Sequence, residues 1–99
     1  MAVKILIKRK FKNGNMKAAS RLVINNRYGA MTHPGYISSE TMRSLDDPDR
    51  ILVVSMWQDM AAWESWENSE TRKANETEFK DYVVGPTEYE HYSLGLPLD

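Results

Sequence analysis

From Val3 to Phe11 apolar and basic side chains alternate, with Val3, Ile5 and Ile7 on one side and Lys4, Lys8 and Lys10 on the other. A period of two carried by β-branched residues predicts a strand with one covered face. Leu6 interrupts the basic side, so that face is expected to be partly covered too. Asn13-Gly14-Asn15 then turns the chain and offers Asn13 or Asn15 as a helix cap. From Met16 the spacing changes. Ala19, Leu22, Val23, Asn26 and Ala30 recur every three or four residues, the stripe of an amphipathic helix, with Gly29 placed to end it. His33-Pro34-Gly35 predicts a turn, because Pro34 lacks a donor and Gly35 accepts positive φ.

Tyr36 to Arg43 reads as a second strand of mixed polarity, followed by a loop at Leu45-Asp46-Asp47-Pro48-Asp49. Arg50 to Trp57 is apolar on both faces, as a central strand covered on two sides would be. Asp59 can cap a short helix from Met60 to about Glu67, and Ser69 another from Glu70 to about Val83. In the latter, Asn75, Phe79, Tyr82 and Val83 share a face, and Gly85-Pro86 stops it. Thr87 to Leu94 predicts a last strand, with Thr87, Tyr89, His91 and Ser93 on one face and Glu88, Glu90, Tyr92 and Leu94 on the other.

The resulting order, β-α-β-β-α-β with the second helical region split, is the α+β ferredoxin-like pattern: a four-stranded antiparallel sheet with helices on one face. The other face would meet water in a monomer. The doubly apolar third strand, Leu6, Tyr92 and Leu94 argue against that, and a homodimer packed sheet to sheet would cover them. One domain is expected over residues 1–99, with a loose tail at 95–99.

Charge removes some function classes. A net charge of -1 does not suit a nucleic-acid binder. The basic cluster Lys4, Lys8, Arg9, Lys10 and Lys12 reads more simply as an edge strand protected from unwanted pairing. The absence of cysteine excludes thiol catalysis, disulfides and cysteine-ligated metals, and fits a reducing, cytoplasmic setting. Met1 to Ile7 is interrupted by Lys4 and does not read as a signal peptide, and no apolar run is long enough for a membrane helix. No nucleic-acid or membrane partner is therefore expected. GxGxxG, P-loop, GxSxG and HExxH patterns do not occur, so neither a nucleotide cofactor nor a zinc-peptidase or serine-hydrolase site has support.

Several segments together resemble a known family: His33-Pro34-Gly35-Tyr36-Ile37-Ser38, the apolar run Arg50 to Trp57, Trp63-Glu64-Ser65-Trp66, Ser69-Glu70-Thr71-Arg72, and Pro86-Thr87-Glu88-Tyr89-Glu90. In this order and spacing, from about Val3 to Leu94, they look like the antibiotic biosynthesis monooxygenase domain. The resemblance implies a dimeric α+β barrel with a pocket between sheet and helices. Some members oxidise polycyclic phenols or quinols without metal or flavin, and others degrade heme. The heme-degrading branch has a His ligand ten residues after the second Trp of the helix, where this chain has Glu76. It also has an Asn on the first strand, where this chain has Ile7. A carboxylate and an isoleucine cannot supply the neutral imidazole and the hydrogen bond, so the resemblance argues against heme degradation and for no cofactor.

The candidate residues follow. Trp66 matches a pocket Trp of the family, and Trp57 would form another wall for a flat aromatic small molecule, although Trp57 and Trp63 also suit plain core packing. Tyr36 and Tyr82 could hydrogen-bond a phenolic oxygen, with amphipathic packing as the simpler role. His91 shares a strand face with Tyr89 and is the residue type suited to general-base work near neutral pH, though a strand His more often serves structure. His33, before Pro34, is expected in solvent, and two histidines without ligand spacing do not make a metal site. Glu64, Glu67, Glu70, Glu76 and Glu78 read as solvated helix faces. The expectation is a cofactor-independent oxygenase acting on an anthrone or hydroquinone, with His91 and Tyr36 as catalytic candidates and Trp66, Trp57, Tyr82 and Ile7 at the pocket. The alternative is a non-catalytic dimeric module that binds a small ligand or accompanies an enzyme.

Overall fold

A computed structural model describes residues 1–96. The elements run β1 (Val3–Lys10), α1 (Met16–Met31), β2 (Tyr36–Arg43), β3 (Arg50–Trp57), α2 (Met60–Glu67), α3 (Glu70–Phe79) and β4 (Glu88–Ser93). The strands form one antiparallel sheet in the order β2-β3-β1-β4, with the helices on one face. This is the α+β ferredoxin-like arrangement. Most of the expected tail, residues 97–99, lies outside the described residues.

The register explains which side chains meet. Val3 pairs with Trp57, Ile5 with Ser55, Ile7 with Val53 and Arg9 with Ile51, and all eight side chains face the helices. Tyr89 and His91 of β4 stand opposite Ile7 and Ile5 on that face. Lys4, Leu6, Lys8 and Lys10 point the other way, to the open face, with Leu52, Val54 and Met56 beside them.

Here the structure corrects the reading of the basic cluster. β1 is an interior strand with partners on both sides, not an edge. Its lysines occupy the open face, while Arg9 continues the buried row and is 5% exposed. The alternation showed a strand with one covered face, and both an edge strand and an interior strand of an open sheet satisfy that pattern.

β2 carries a bulge between Tyr36 and Ser38. An unbroken strand would put residues 36, 38 and 40 on one face. Because Ile37 is the extra residue, Tyr36 opposes Trp57 while Ser39 opposes Ser55 and Thr41 opposes Val53. Tyr36, Ser39 and Thr41 thereby share the helix-side face.

Asp59 and Ser69 cap α2 and α3, with their side chains accepting from the Ala62 and Arg72 amides at 2.8 and 3.2 Å. Asn15 holds the cap position of α1 without a side-chain bond. α3 ends at Phe79, short of the expected Val83. Tyr82 and Val83 instead lie in a turn, where the Val83 backbone bridges to Phe11. Gly29 does not end α1, which runs on to Met31. A Cβ on Gly29 would stand 2.6 Å from Cη2 of Trp66, so its bare backbone is the seat for that indole. Gly35, at φ +90°, makes the turn into β2 and sits where a Cβ would meet the Cβ of Ala62 at 2.4 Å.

Two apolar clusters lie between sheet and helices. One holds Val3, Ile5, Ile7, Ala30, Trp57, Trp63 and Trp66; the other holds Phe11, Ala19, Leu22, Val23 and Phe79. Truncating a buried Trp to Ala costs about 3–5 kcal/mol in cores of this kind, so the three indoles dominate the first cluster.

Candidate functional site

The first cluster surrounds a cavity between α1, α2 and the sheet. Trp63 and Trp66 lie three residues apart on α2 and so point down together onto the end of β3. Trp57 meets Trp63 at 6.0 Å between ring centroids and Tyr36 at 5.5 Å, both edge to face. Trp63 continues the chain to Tyr89 at 6.3 Å. Such contacts add about 0.5–1.5 kcal/mol each beyond area burial, and they fix the ring planes.

Polar groups face the same space. Tyr36, placed by the bulge, shares a hydrogen bond with Ser39 Oγ at 2.7 Å. Trp57 Nε1 donates to Ser55 Oγ at 3.0 Å. Thr41, Asn26, Arg27 and Arg9 complete the polar lining, and Ile7 and Val53 form the floor. The cavity is about 40 Å³, room for water but not for a fused-ring aromatic. It adjoins a cleft of about 250 Å³ between α1 and the β2–β3 side of the sheet, and Val23, Arg27 and Thr41 line both.

Next to the cavity lies a buried ionic network. Glu76 Oε1 accepts from Arg9 Nη2 and forms a salt bridge with Arg72 Nη2 at 2.7 Å. Arg72 Nη2 also donates to the Tyr89 hydroxyl at 2.6 Å. Arg9 lies over the Phe79 ring at 4.1 Å, and Arg72 lies 5.2 Å from Trp63 and 5.5 Å from Tyr89. Burial pushes the Arg9 guanidinium below its ordinary value, and Glu76 pulls it back. Glu76 is therefore not on a solvated helix face. It is held between two buried cations because Arg72 and Glu76 are one helical turn apart and Arg9 continues the apolar row of β1. Both spacings are visible in the sequence: a residue four before Glu76, and the next inward position after Ile7.

Tyr36, Trp57, Trp66 and Ile7 all line the cavity. Two other candidates lie apart from it. Tyr82 packs half-buried against the second apolar cluster. His91 faces the helix side of the sheet on the edge strand β4 and is exposed. His33 is not the solvated turn residue expected. It is half-buried, its Nε2 is 2.9 Å from Ser65 Oγ, and its ring lies 5.6 Å from Trp66 and 6.3 Å from Trp57. The turn pins it against α2, a contact that no local spacing encodes. Among the described residues no three His, Asp or Glu side chains converge as metal ligands would.

Residues 2–83 match the antibiotic biosynthesis monooxygenase family. The chain belongs to that family. No curated protein matches the sequence. Solved structures with the same fold include a conserved protein from Methanosarcina mazei Go1, with a TM-score of 0.87 and 16% identity over 93% of this chain and 91% of that one. An antibiotic biosynthesis monooxygenase from Nitrosomonas europaea gives 0.86 and 14% over 92% and 88%. SnoaB from Streptomyces nogalater, a cofactor-independent oxygenase, gives 0.83 and 12% over 98% and 96%. At these identities the likeness concerns the fold, which is that of the antibiotic biosynthesis monooxygenases. Among the described residues no helix is long and apolar enough to cross a membrane.

Proposed function

We propose that this antibiotic biosynthesis monooxygenase family member is a cofactor-independent oxygenase of an electron-rich aromatic such as an anthrone or hydroquinone. The observation that carries the reading is the cavity itself, where indole walls and the Tyr36 and Ser39 hydroxyls share one space between α1 and the sheet. In an anthrone the methylene carbon loses a proton and the resulting carbanion passes an electron to O₂. Recombination forms a carbon–oxygen bond, and loss of water leaves the quinone: one oxygen atom enters the product and the other leaves in water. The protein supplies orientation, exclusion of water and hydrogen bonds to the developing oxyanion. Tyr36 offers a hydroxyl beside the indoles, and Trp66 and Trp57 hold the rings. His91, exposed and away from the cavity, would reach a substrate only if it extended along β4. The functional unit is a homodimer joined through the open sheet face, where Leu6 and Val54 are direct cross-strand neighbours.

Oxygen uptake by the metal-stripped protein with a panel of anthrones and hydroquinones tests the reading. Uptake above autoxidation that is lost in Trp66→Ala supports it, and autoxidation rates across the panel count against it. One observation favours a second reading, a non-catalytic dimeric ligand-binding module: the cavity of about 40 Å³ is far below the several hundred expected of a preformed small-molecule pocket. Ligand binding without oxygen consumption would decide for it.

A further inference from the structure

We infer that the ligand of this cavity is an aromatic carrying an oxyanion, a carboxylate or an ionised phenol or enol, and that Arg9 and Arg27 recognise it. This rests on the cavity being the ligand site proposed above, and it does not require that the ligand be oxidised. Two arginines and no Asp or Glu line the space. Arg9 enters it from the floor of the sheet with its side chain 3% exposed. Arg27 approaches from α1 at the point where the cavity meets the larger cleft.

The neighbouring ionic network does not balance this charge. Glu76 is its single carboxylate and is shared between Arg9 and Arg72. Two buried guanidiniums against one carboxylate leave one positive charge in excess where little water can screen it. Burying a cation without full compensation is unfavourable, and an anion placed beside it is correspondingly favoured. Hydrogen bonding is incomplete in the same sense. Arg9 Nε and Trp63 Nε1 are buried donors without an acceptor among the described residues, and both residues line the cavity. Buried donors in native proteins are nearly always satisfied. A ligand acceptor bearing negative charge would answer the excess charge and could take up these donors. A neutral hydrocarbon would leave both as they are.

Recognition by guanidinium favours planar, two-oxygen or delocalised anions. The indoles and Tyr36 suit a flat ring system attached to that anion. The ring would extend past Val23 and Thr41 into the adjoining cleft, since the cavity alone admits only water.

Calorimetric titration of the full chain without oxygen tests this with two matched pairs of probes. One pair is naphthalene-2-carboxylate and its neutral carboxamide. The other is 4-nitro-1-naphthol, ionised at pH 8, and its methyl ether. The wild-type protein is expected to bind at least one anion tenfold or more tighter than its neutral partner, and the arm that shows the preference names the oxyanion. In Arg9→Met the preference should fall to within twofold while affinity for the neutral probe is kept. Should Arg9→Met not fold, the exposed Arg27→Gln carries the same test, with a preference reduced at least threefold. Equal binding of anion and neutral probe, no binding by any probe, or a preference that survives both substitutions overturns the inference. Because turnover is not read, an absence of oxygen uptake elsewhere would sink the oxygenase reading alone. Oxygen uptake with neutral quinols, together with no anion preference, would sink this inference alone.

Discussion

The outer edge of the Trp66 indole occupies the place where Gly29 would carry a side chain, with Cη2 2.6 Å from that missing Cβ. Helix α1 accepts a glycine in its interior, a cost of about 1 kcal/mol against alanine, so that α2 can lay an indole against it. Gly29→Ala should therefore destabilise the protein although it improves helix propensity. Overpacking of a filled site costs about 1–3 kcal/mol, and less the propensity gain of about 1 kcal/mol the net loss should be about 1 kcal/mol by urea denaturation, with Trp fluorescence altered in the folded state. Trp66→Phe in the same chain should restore part of the loss, because the smaller ring clears the new methyl. A stabilised Gly29→Ala protein would contradict the packing described.

Glu76 is a second point of leverage. Glu76→Gln leaves Arg9 and Arg72 buried and facing one another without their carboxylate. Removing one partner of a buried ion pair costs about 3–5 kcal/mol, mostly through the stranded charge. The loss should shrink when Arg9→Met is added, because one stranded cation is then gone. A double-mutant cycle reads this directly: additive costs would show that the two residues do not share a network.

The order of elements is legible in the sequence because it rests on periodicity: two along Val3 to Ile7, three to four along Ala19 to Ala30, and side-chain caps at Asp59 and Ser69. Strand order is not, since a pattern of one covered face is common to edge and interior strands, and β1 proved interior. The site is legible where a residue follows its own period, as Trp57, Trp66 and Ile7 do. It is not legible where a contact joins distant segments. His33 reaches Ser65 and Trp66 across a turn, and Glu76 looked like one more solvated acid until the sheet brought Arg9 beneath it. Tyr82 lies in the turn after α3 and packs with Phe79 on the second cluster, away from the cavity.

On the open face Lys8 Nζ and Glu90 Oε2 pair at 2.6 Å. The hydrogen bond from Lys8, then that from Tyr92, holds the Glu90 carboxyl below its ordinary value, and the same pair raises Lys8. Because the folded value of Glu90 is depressed, its contribution to stability is present above the unfolded carboxyl value of about 4.3. It is lost as the pH falls through the lower folded value. NMR titration should place the Glu90 midpoint below that of an unperturbed glutamate and move it upward in Lys8→Met. Added salt should shrink the difference, since the pair is exposed on the single chain. A midpoint unmoved by Lys8→Met would refute the pairing.

The same face carries Leu6 and Val54 in direct register, with Leu52 and Met56 alongside on β3. For the proposed homodimer, light scattering at micromolar concentration should give twice the chain mass. Val54→Lys should give the single mass, because it sets a charge at the centre of the apolar strip. A wild-type monomer would rule the dimer out.

The bulge in β2 has a consequence for how the site can vary. Tyr36 shares a face with Ser39 and Thr41 only because Ile37 is one residue in excess of the ladder. Side-chain replacement along the strand changes what stands at each position but not which way it points. Loss of a single codon at Ile37 would leave a regular ladder with Tyr36, Ser39 and Thr41 still on the helix side, whereas drawing Ile37 into the pairing would turn either Tyr36 or the whole run from Ser39 to Arg43 to the opposite side of the sheet. The composition of the pocket is thus open to gradual variation by substitution, whereas the choice of which side chains face it depends on Ile37 staying out of the ladder and can change only in one abrupt step.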